Sequence, residues 1–362
     1  MEFLVRGTDR NPVGVLDNFI SAVWREHYNE AGDFEILTKP TEALLTLLAK
    51  DNYLCIERSD KWMIIESRQM IYDPDEGYRL LVKGRSLESL LDRRIILQEE
   101  IIDNDQVEDG LYFCITRNMI DSPGQPQRNF PNFRFVVSSD PDIRIPRMSA
   151  KYIHREYVYD IVTYWTQPNN MGWRIHWNPS DNWFDFKLYL GTDRSHAQTF
   201  RPIVIFSPSF DNLLHSEWVD SYRYYKDYAL VMGDNTDGPA HVVESKPSPD
   251  PSGLSRRELF VDATDVSKFY AGSSTELPIS QYLDILYKIG DRRRATINSP
   301  LSTFMGKIYS DVVFRYNEDF FLGDIVAMND GEGHSGSVRV VEYTFGQELD
   351  GEYSYPTFEP VF

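Results

Sequence analysis

Residues 18–37 read NFISAVWREHYNEAGDFEIL, and this stretch decides the fold class. Ile20, Val23, Trp24 and Tyr28 give its first part the β-branched and aromatic bulk of a long strand. Glu30, Ala31, Gly32 and Asp33 form a tight turn, with Gly32 supplying a backbone angle that disfavours a side chain, and Phe34 starts the return strand. Nothing in the stretch is catalytic.

Outward from this hairpin the chain stays extended. Residues 3–5 and 13–16 form an opening hairpin around the turn formers Asp9, Arg10, Asn11 and Pro12. Thr38, Pro40 and Thr41 start a short helix carrying Leu44, Leu45, Leu47 and Leu48. Strands at 53–57, 61–72 and 78–83 follow, the last two joined by the turn 73–77, which is enough for one small barrel or sandwich. Residues 84–95 read as a helical turn capped by Ser86, ahead of the basic pair Arg93 and Arg94.

Later segments mix helices with strands. Leu111, Ile115 and Met119 have helical spacing within 107–119, a Pro- and Gly-rich loop covers 121–132, and a helix over 152–166 stops before Pro168. Residues 173–177 and 183–190 make another hairpin. Residues 246–255 are an exposed Pro- and Ser-rich loop, 279–297 a helix broken or weakened at Gly290, and the tail from Phe304 carries three strands. Tyr28, Asn29, Glu30, Gly32 and Asp33 have an echo in Tyr316, Asn317, Glu318, Gly323 and Asp324, but the spacing differs, so this is no tandem repeat.

The composition supports this reading. With 22 Tyr and 21 Phe the chain favours strands, and 362 residues exceed one ordinary core of about 150, so two or three domains are expected. The 56 acidic residues outnumber 37 basic ones, and a formal net charge of -19 disfavours attraction to nucleic acid or anionic lipid. Cys55 and Cys114 sit among apolar neighbours and read as buried free thiols. The start, MEFLVRGTDR, shows no signal peptide, and no apolar run approaches the roughly 18 residues of a membrane span, so a membrane anchor is not expected. The expected compartment is the reducing cytosol of a host cell until assembly or lysis.

Several of these segments together resemble the siphophage tail hub proteins, also called baseplate hub or minor tail proteins, of the Gp37-like kind. The first is the run Trp24, Tyr28, Asn29, Glu30, Gly32, Asp33 and Phe34. The second, VKGRSLESLLDRRII at 82–96, contains Gly84, Arg85, Arg93 and Arg94. GTDRS at 191–195, VIFSPSFDNLLHSEW at 204–218 and RRELFVDATDVS at 256–267 extend the likeness into both halves of the chain. The resemblance implies two interleaved tube-type β-barrels and a homotrimer related to the hubs of contractile tails. In that family the ring continues the sixfold symmetry of the tail tube and joins it, through a distal tail protein, to the receptor-binding or tip apparatus. Tape-measure protein and DNA pass through its lumen without specific binding.

Motifs for other chemistry have bland explanations. Residues 331–336 formally match G-x-G-x-x-G, but the strand-like Ser337, Val338, Val340 and Val341 follow, so a hairpin loop is expected rather than a dinucleotide cradle. The seven His residues are scattered, with no HExxH pair for a metal. Asp103, Asn104, Asp105 and Asp109 suggest a calcium loop, but its twelfth position is Cys114 rather than Glu. Arg292, Arg293 and Arg294 point in different directions on a helix and read as a solvated face or scattered ion pairs. Some tail hubs carry an appended wall-degrading domain, for which the chain after YPTFE leaves no room.

The fold expected is mainly β with helical insertions (α+β), built from two tube-type β-barrel domains plus peripheral helical segments. Residues 1–100 hold the first barrel, 101–190 a helical and mixed insertion with a strand hairpin, and 191–362 the second barrel, interleaved with the first. The expected function is structural: a non-enzymatic tail-tip hub of the virion, without cofactor, metal or catalytic residues. The alternative is a β protein that binds polysaccharide or hydrolyses cell-wall glycan, its seven Trp and many Tyr stacking on sugars.

Overall fold

The computed structural model describes the chain except residues 76, 98–99, 103–105, 147–150, 154, 214, 220–221, 224, 236–237, 265, 270–274, 298–302, 308–312, 334 and 362. The protein is mainly β with helical insertions. The opening strands β1 (Phe3–Arg6) and β2 (Pro12–Leu16) pair antiparallel, as do β3 (Ser21–His27) and β4 (Asp33–Thr38). Helix α1 (Glu42–Leu47) follows, its first turn capped by the Thr41 hydroxyl, which accepts from the Leu44 N–H at 3.2 Å. Then come β5 (Tyr53–Cys55), β6 (Trp62–Asp73) and β7 (Gly77–Ser86).

Strict alternation along β3 and β4 turns Ala22, Trp24, Glu26, Phe34 and Ile36 inward and leaves Arg25, His27, Asp33 and Glu35 half-exposed. The ladder between the two ends at Arg25 and Asp33, so the connection is wider than a tight turn. Beyond that point β3 keeps pairing on its other side with the strand Ser335–Glu348, to the pair His27 and Glu342. One sheet of twelve strands results, running from Asp193–Arg194 through Ile325–Asn329, Ser335–Glu348, β3, β4, β7, β6, β5 and β1 to β2. Ile205–Phe206 joins it beside Ile325–Asn329, and Gly351–Pro360 beside Ser335–Glu348. Its inner face holds a core that mixes early and late residues, among them Phe3, Trp24, Phe34, Phe206, Tyr343 and Phe358.

A second core joins Cys55, Trp62, Ile64, Leu87, Leu90, Leu91 and Ile96 to apolar residues between Val107 and Leu188. Helices α2 (Val107–Ile115) and α3 (Val158–Thr166) bury Val107, Leu111, Ile161, Val162 and Trp165 against the hairpin of Gly172–Asn178 and Trp183–Tyr189. The helix expected over 152–166 begins only at Val158. Tyr152 and Ile153 instead pair with Ile101 and Glu100 in a short antiparallel ladder, whose backbone hydrogen bonds hold this stretch extended. Helix α2 lies where the spacing places it and continues into a π-turn, Thr116–Ile120.

The chain has two compact units, residues 1–217 with 304–361, and residues 218–303. Within the second, Tyr228–Met232 pairs antiparallel with Val242–Ser245 and parallel with Glu258–Asp262. Helix α4 (Ile279–Ile297) covers one face through Tyr282 and Leu286. The break expected at Gly290 does not occur. A Cβ there would stand 2.5 Å from Val231 Cγ2, so the glycine lets the helix lie close to the strand, and that packing outweighs its poor helix propensity.

Candidate functional site

The loop between β3 and β4 is a joint between the large sheet and the segment 101–190. Tyr28 is buried at its centre. Its main-chain N–H donates to the Val341 carbonyl at 2.9 Å on the sheet side, while its own carbonyl accepts from the Trp173 N–H at 3.3 Å. The phenol donates to the Asn170 carbonyl at 2.8 Å and accepts from the Gly191 N–H at 3.2 Å. Its ring meets Tyr189 edge-on at 5.2 Å and lies against Gly172 and Gly323, where a Cβ would come within 2.2 Å of it. The neighbouring loop residues reach the same segment. Trp173 Nε1 donates to the Asn29 carbonyl at 2.9 Å, the Ala31 N–H donates to the Tyr159 hydroxyl at 3.0 Å, and Gln167 donates to the exposed Glu30 carboxylate at 3.2 Å.

Gly32 is there for space, not for a left-handed angle. Its backbone does not enter the positive-φ region, and an added Cβ would stand 2.3 Å from the Arg25 carbonyl oxygen. The close approach lets it exchange two hydrogen bonds with Ser86. The Gly32 N–H donates to Ser86 Oγ at 2.8 Å and the Ser86 N–H donates to the Gly32 carbonyl at 2.8 Å. Ser86 therefore does not use its hydroxyl to cap the following 3-10 segment, Leu87–Arg93, as its position suggested. The two motifs also meet along β4 and β7, where Asp33 faces Arg85 and Phe34 faces Gly84. A Cβ at Gly84 would stand 1.8 Å from the Ile64 carbonyl oxygen and 2.7 Å from the Phe34 ring.

Charged motif residues form a ladder on the half-exposed face of these strands. Arg25 pairs with Asp33 at 2.6 Å, Lys83 with Glu35 at 2.5 Å, and Arg85 with Glu66 at 2.9 Å and Asp92 at 2.6 Å. His27 Nε2 lies 3.8 Å from Asp33 and 3.5 Å from Glu342. Burial pushes the Asp33 carboxyl up, but hydrogen bonding to His27 and the Arg25 charge outweigh it and hold the group below the usual range. The hydrogen bond to Glu66, more than the opposing burial, raises Arg85. Arg93 pairs with Asp51 at 3.2 Å, and Arg94 donates to the Arg128 carbonyl at 2.7 Å with its guanidinium 4.2 Å above the Phe130 ring.

Beneath the ladder lies a buried charge network that draws Glu88 from the second motif, Glu26 from between residues of the first, and Lys61 from outside both. Glu26 accepts from Trp24 Nε1 at 2.9 Å and from the Tyr316 hydroxyl at 2.9 Å, and burial raises its carboxyl despite the nearby Lys61 charge. Lys61 Nζ donates to the His27 carbonyl at 3.1 Å and to the buried Glu88 at 3.3 Å. Glu26 was detectable in the alternation of β3, because it occupies an inward position after Ala22 and Trp24. The Tyr316 echo packs against the first motif: its ring stacks on Tyr343 at 3.9 Å, and Gly323 seats Tyr28. Asp324 accepts from the Thr192 N–H at 2.6 Å and from Arg194 Nε at 2.7 Å, which ties in the GTDRS segment.

The other sequence candidates lie apart. Residues 331–336 fall in the hairpin between Ile325–Asn329 and Ser335–Glu348, with His334 outside the described residues. Asp103, Asn104 and Asp105 also lie outside them. Among the described residues no group of three or more His, Cys, Asp or Glu could hold a metal, and no helix is long and apolar enough to cross a membrane. Cys55 and Cys114 are buried and not joined by a disulfide. Arg294 pairs with Asp291 at 2.6 Å and Arg293 is exposed, while the Arg292 side chain is outside the description. Trp24, Trp165 and Trp173 are buried, and Trp62 stacks on Trp177 at 4.4 Å beneath the Arg6 guanidinium, so these rings pack on protein.

The family model described as Siphovirus ReqiPepy6 Gp37-like protein matches residues 2–358. No curated protein matches the chain. Among solved structures, the tail protein from Neisseria meningitidis MC58 aligns with a TM-score of 0.60 at 13% identity, covering 99% of this chain and 95% of that one. The 43 kDa tail protein of prophage MuSo2 from Shewanella oneidensis aligns with a TM-score of 0.61 at 8% identity, covering 99% and 98%. The E. coli c3393 protein, a component of the type VI secretion system with structural similarity to T4 bacteriophage tail proteins gp27 and gp5, aligns at 0.50 with 12% identity, covering 99% and 77%. At these identities the likeness is one of fold.

Proposed function

The chain belongs to the Siphovirus ReqiPepy6 Gp37-like protein family, and from that premise we propose that it is a structural tail protein, the hub at the distal end of the tail tube. Copies assemble as a homotrimeric ring that contacts the tube, a distal tail protein and the receptor-binding or tip proteins. The carrying observation is the charge ladder on the solvated sheet face, where Arg25, Lys83 and Arg85 each already hold a carboxylate. Set around a bore, such a wall offers passing DNA few uncommitted cations, and each phosphate contact avoided weakens retention. Screening over about 8 Å confines the effect to charges near the bore, so the net charge of the whole chain matters less than this face.

The barrel of residues 1–100 and that of 191–362 are proposed to share this sheet, with 101–190 held outside it by the Tyr28 joint. The test is a reconstruction of the hub in the virion, with a count of charged side chains facing the lumen. The expected result is a trimer whose inward face carries more Asp and Glu than Lys and Arg, with Arg292, Arg293 and Arg294 away from it. A monomeric or dimeric copy number, or a net basic lumen, overturns the proposal. Salt-sensitive DNA binding by the isolated protein would count equally against the conduit.

A further inference from the structure

The second motif ends in Arg93 and Arg94, and beyond them lies an accumulation of arginine that the hub reading does not use. Among the described residues Arg94 and Arg128 donate to main-chain carbonyls, Arg94 to Arg93 and Arg128 and Arg128 to Ile95, and neither has a carboxylate partner. Burial lowers the affinity of both for their protons, and for Arg94 the charges of Arg128 and Arg93 add to it. In a chain of net charge -19, uncompensated guanidinium groups gathered at one place call for an explanation.

A cavity of about 260 Å³ opens beside them, lined in part by Arg117, Asn118, Ser122, Gln125 and Arg128. The π-turn Thr116–Ile120 places Arg117 and Asn118 on its wall, and such turns recur at functional sites. Asn118 is committed to the scaffold, its carboxamide accepting from the Leu97 N–H at 3.3 Å and donating to the Cys114 carbonyl at 2.9 Å. Ser122 is only 5% exposed, and its buried hydroxyl has no hydrogen-bond partner. A buried hydroxyl without a partner costs free energy unless a ligand or solvent satisfies it.

We infer that this cavity binds an oxyanion of the phosphate class. The Arg128 guanidinium supplies charge and forked donors, and the Ser122 hydroxyl and Gln125 carboxamide supply neutral ones. Such a donor set exceeds what a planar carboxylate needs. The site does not depend on the hub reading, because it uses none of the residues of the charge ladder.

The test is thermal unfolding and calorimetric titration of the full chain with inorganic phosphate, glycerol phosphate, acetate and chloride at matched ionic strength. Saturating phosphate or glycerol phosphate should raise the unfolding midpoint by roughly 2–4 °C over chloride. A response to inorganic phosphate alone identifies the free anion as the ligand, and an equal or stronger response to glycerol phosphate identifies an ester. Arg128→Gln and Ser122→Ala should each weaken phosphate binding about tenfold while keeping the wild-type midpoint in chloride. If Arg128→Gln loses its fold, Ser122→Ala carries the test. Equal midpoints in phosphate and chloride, equal responses to acetate and phosphate, or unweakened binding in a folded variant would overturn the proposal.

Discussion

Gly32→Ala isolates the physical reason for the glycine in the first motif. The new Cβ would stand 2.3 Å from the Arg25 carbonyl oxygen and 3.3 Å from Glu26 Cα, both main-chain atoms that no side-chain rotation can move aside. The strands must separate, at an overpacking cost of about 1–3 kcal/mol. Separation also strains the two 2.8 Å hydrogen bonds with Ser86. Each contributes about 1 kcal/mol, so the expected loss is roughly 2–4 kcal/mol. For a unit of this size that lowers the thermal midpoint by about 3–7 °C. Gly77 is the control, because it has φ +77 and nothing within 4 Å of an added Cβ. At Gly77 an Ala should cost about 1 kcal/mol and an Asn less, since Asn tolerates the left-handed region. At Gly32 Asn should be at least as damaging as Ala. Urea unfolding of the four variants reads both patterns, and Gly32→Ala within about 0.5 kcal/mol of wild type would refute the steric argument.

Three further expectations concern buried groups. Tyr28→Phe removes hydroxyl bonds to Asn170 and Gly191 and should cost about 1–2 kcal/mol, while Tyr28→Ala should cost about 3–5; an unchanged urea midpoint in Tyr28→Phe would deny the joint its hydrogen bonds. The folded chain holds the Glu26 proton to higher pH than the ordinary value of 4.5, so this group's favourable contribution is complete below that pH and is lost as pH rises through the raised value. Glu26→Gln lacks that loss, and its stability relative to wild type should increase between pH 4 and 8; parallel pH profiles would contradict the assignment. Burial pushes the Cys55 thiol up to about 12, so a thiol reagent at pH 8 should label it only on unfolding, and rapid labelling of the native protein would show the site to be open.

Much of the strand architecture was legible because side-chain alternation is local. Trp24 and Phe34 advertise an inward face whatever their neighbours, and the opening hairpins, the β6–β7 pair and the 173–190 hairpin follow from short-range turns. The family resemblance also depended on local strings, and the matched model spans residues 2–358. Alternation says which face a residue takes, not which strand lies beside it. Only the tertiary structure pairs β3 with Ser335–Glu348, brings the Tyr316 hydroxyl to Glu26, and closes Gly323 onto Tyr28.

The expectations that failed did so for the same reason. Ser86 had two claims on its hydroxyl, and Gly32, distant in sequence but 2.8 Å away in space, took it from the local cap. Gly290 was read by its helix propensity, whereas the nearby Val231 decided that a glycine was needed there. Tyr152 and Ile153 had apolar spacing compatible with a helix, but a partner strand at Glu100–Ile102 offered hydrogen bonds that an extended backbone could use. The sequence by itself determined the periodicities, the turn chemistry and the acidic charge of the chain. The tertiary structure alone decided which distant groups share a hydrogen bond or a van der Waals contact, because those energies depend on separations of a few ångströms that no local pattern encodes.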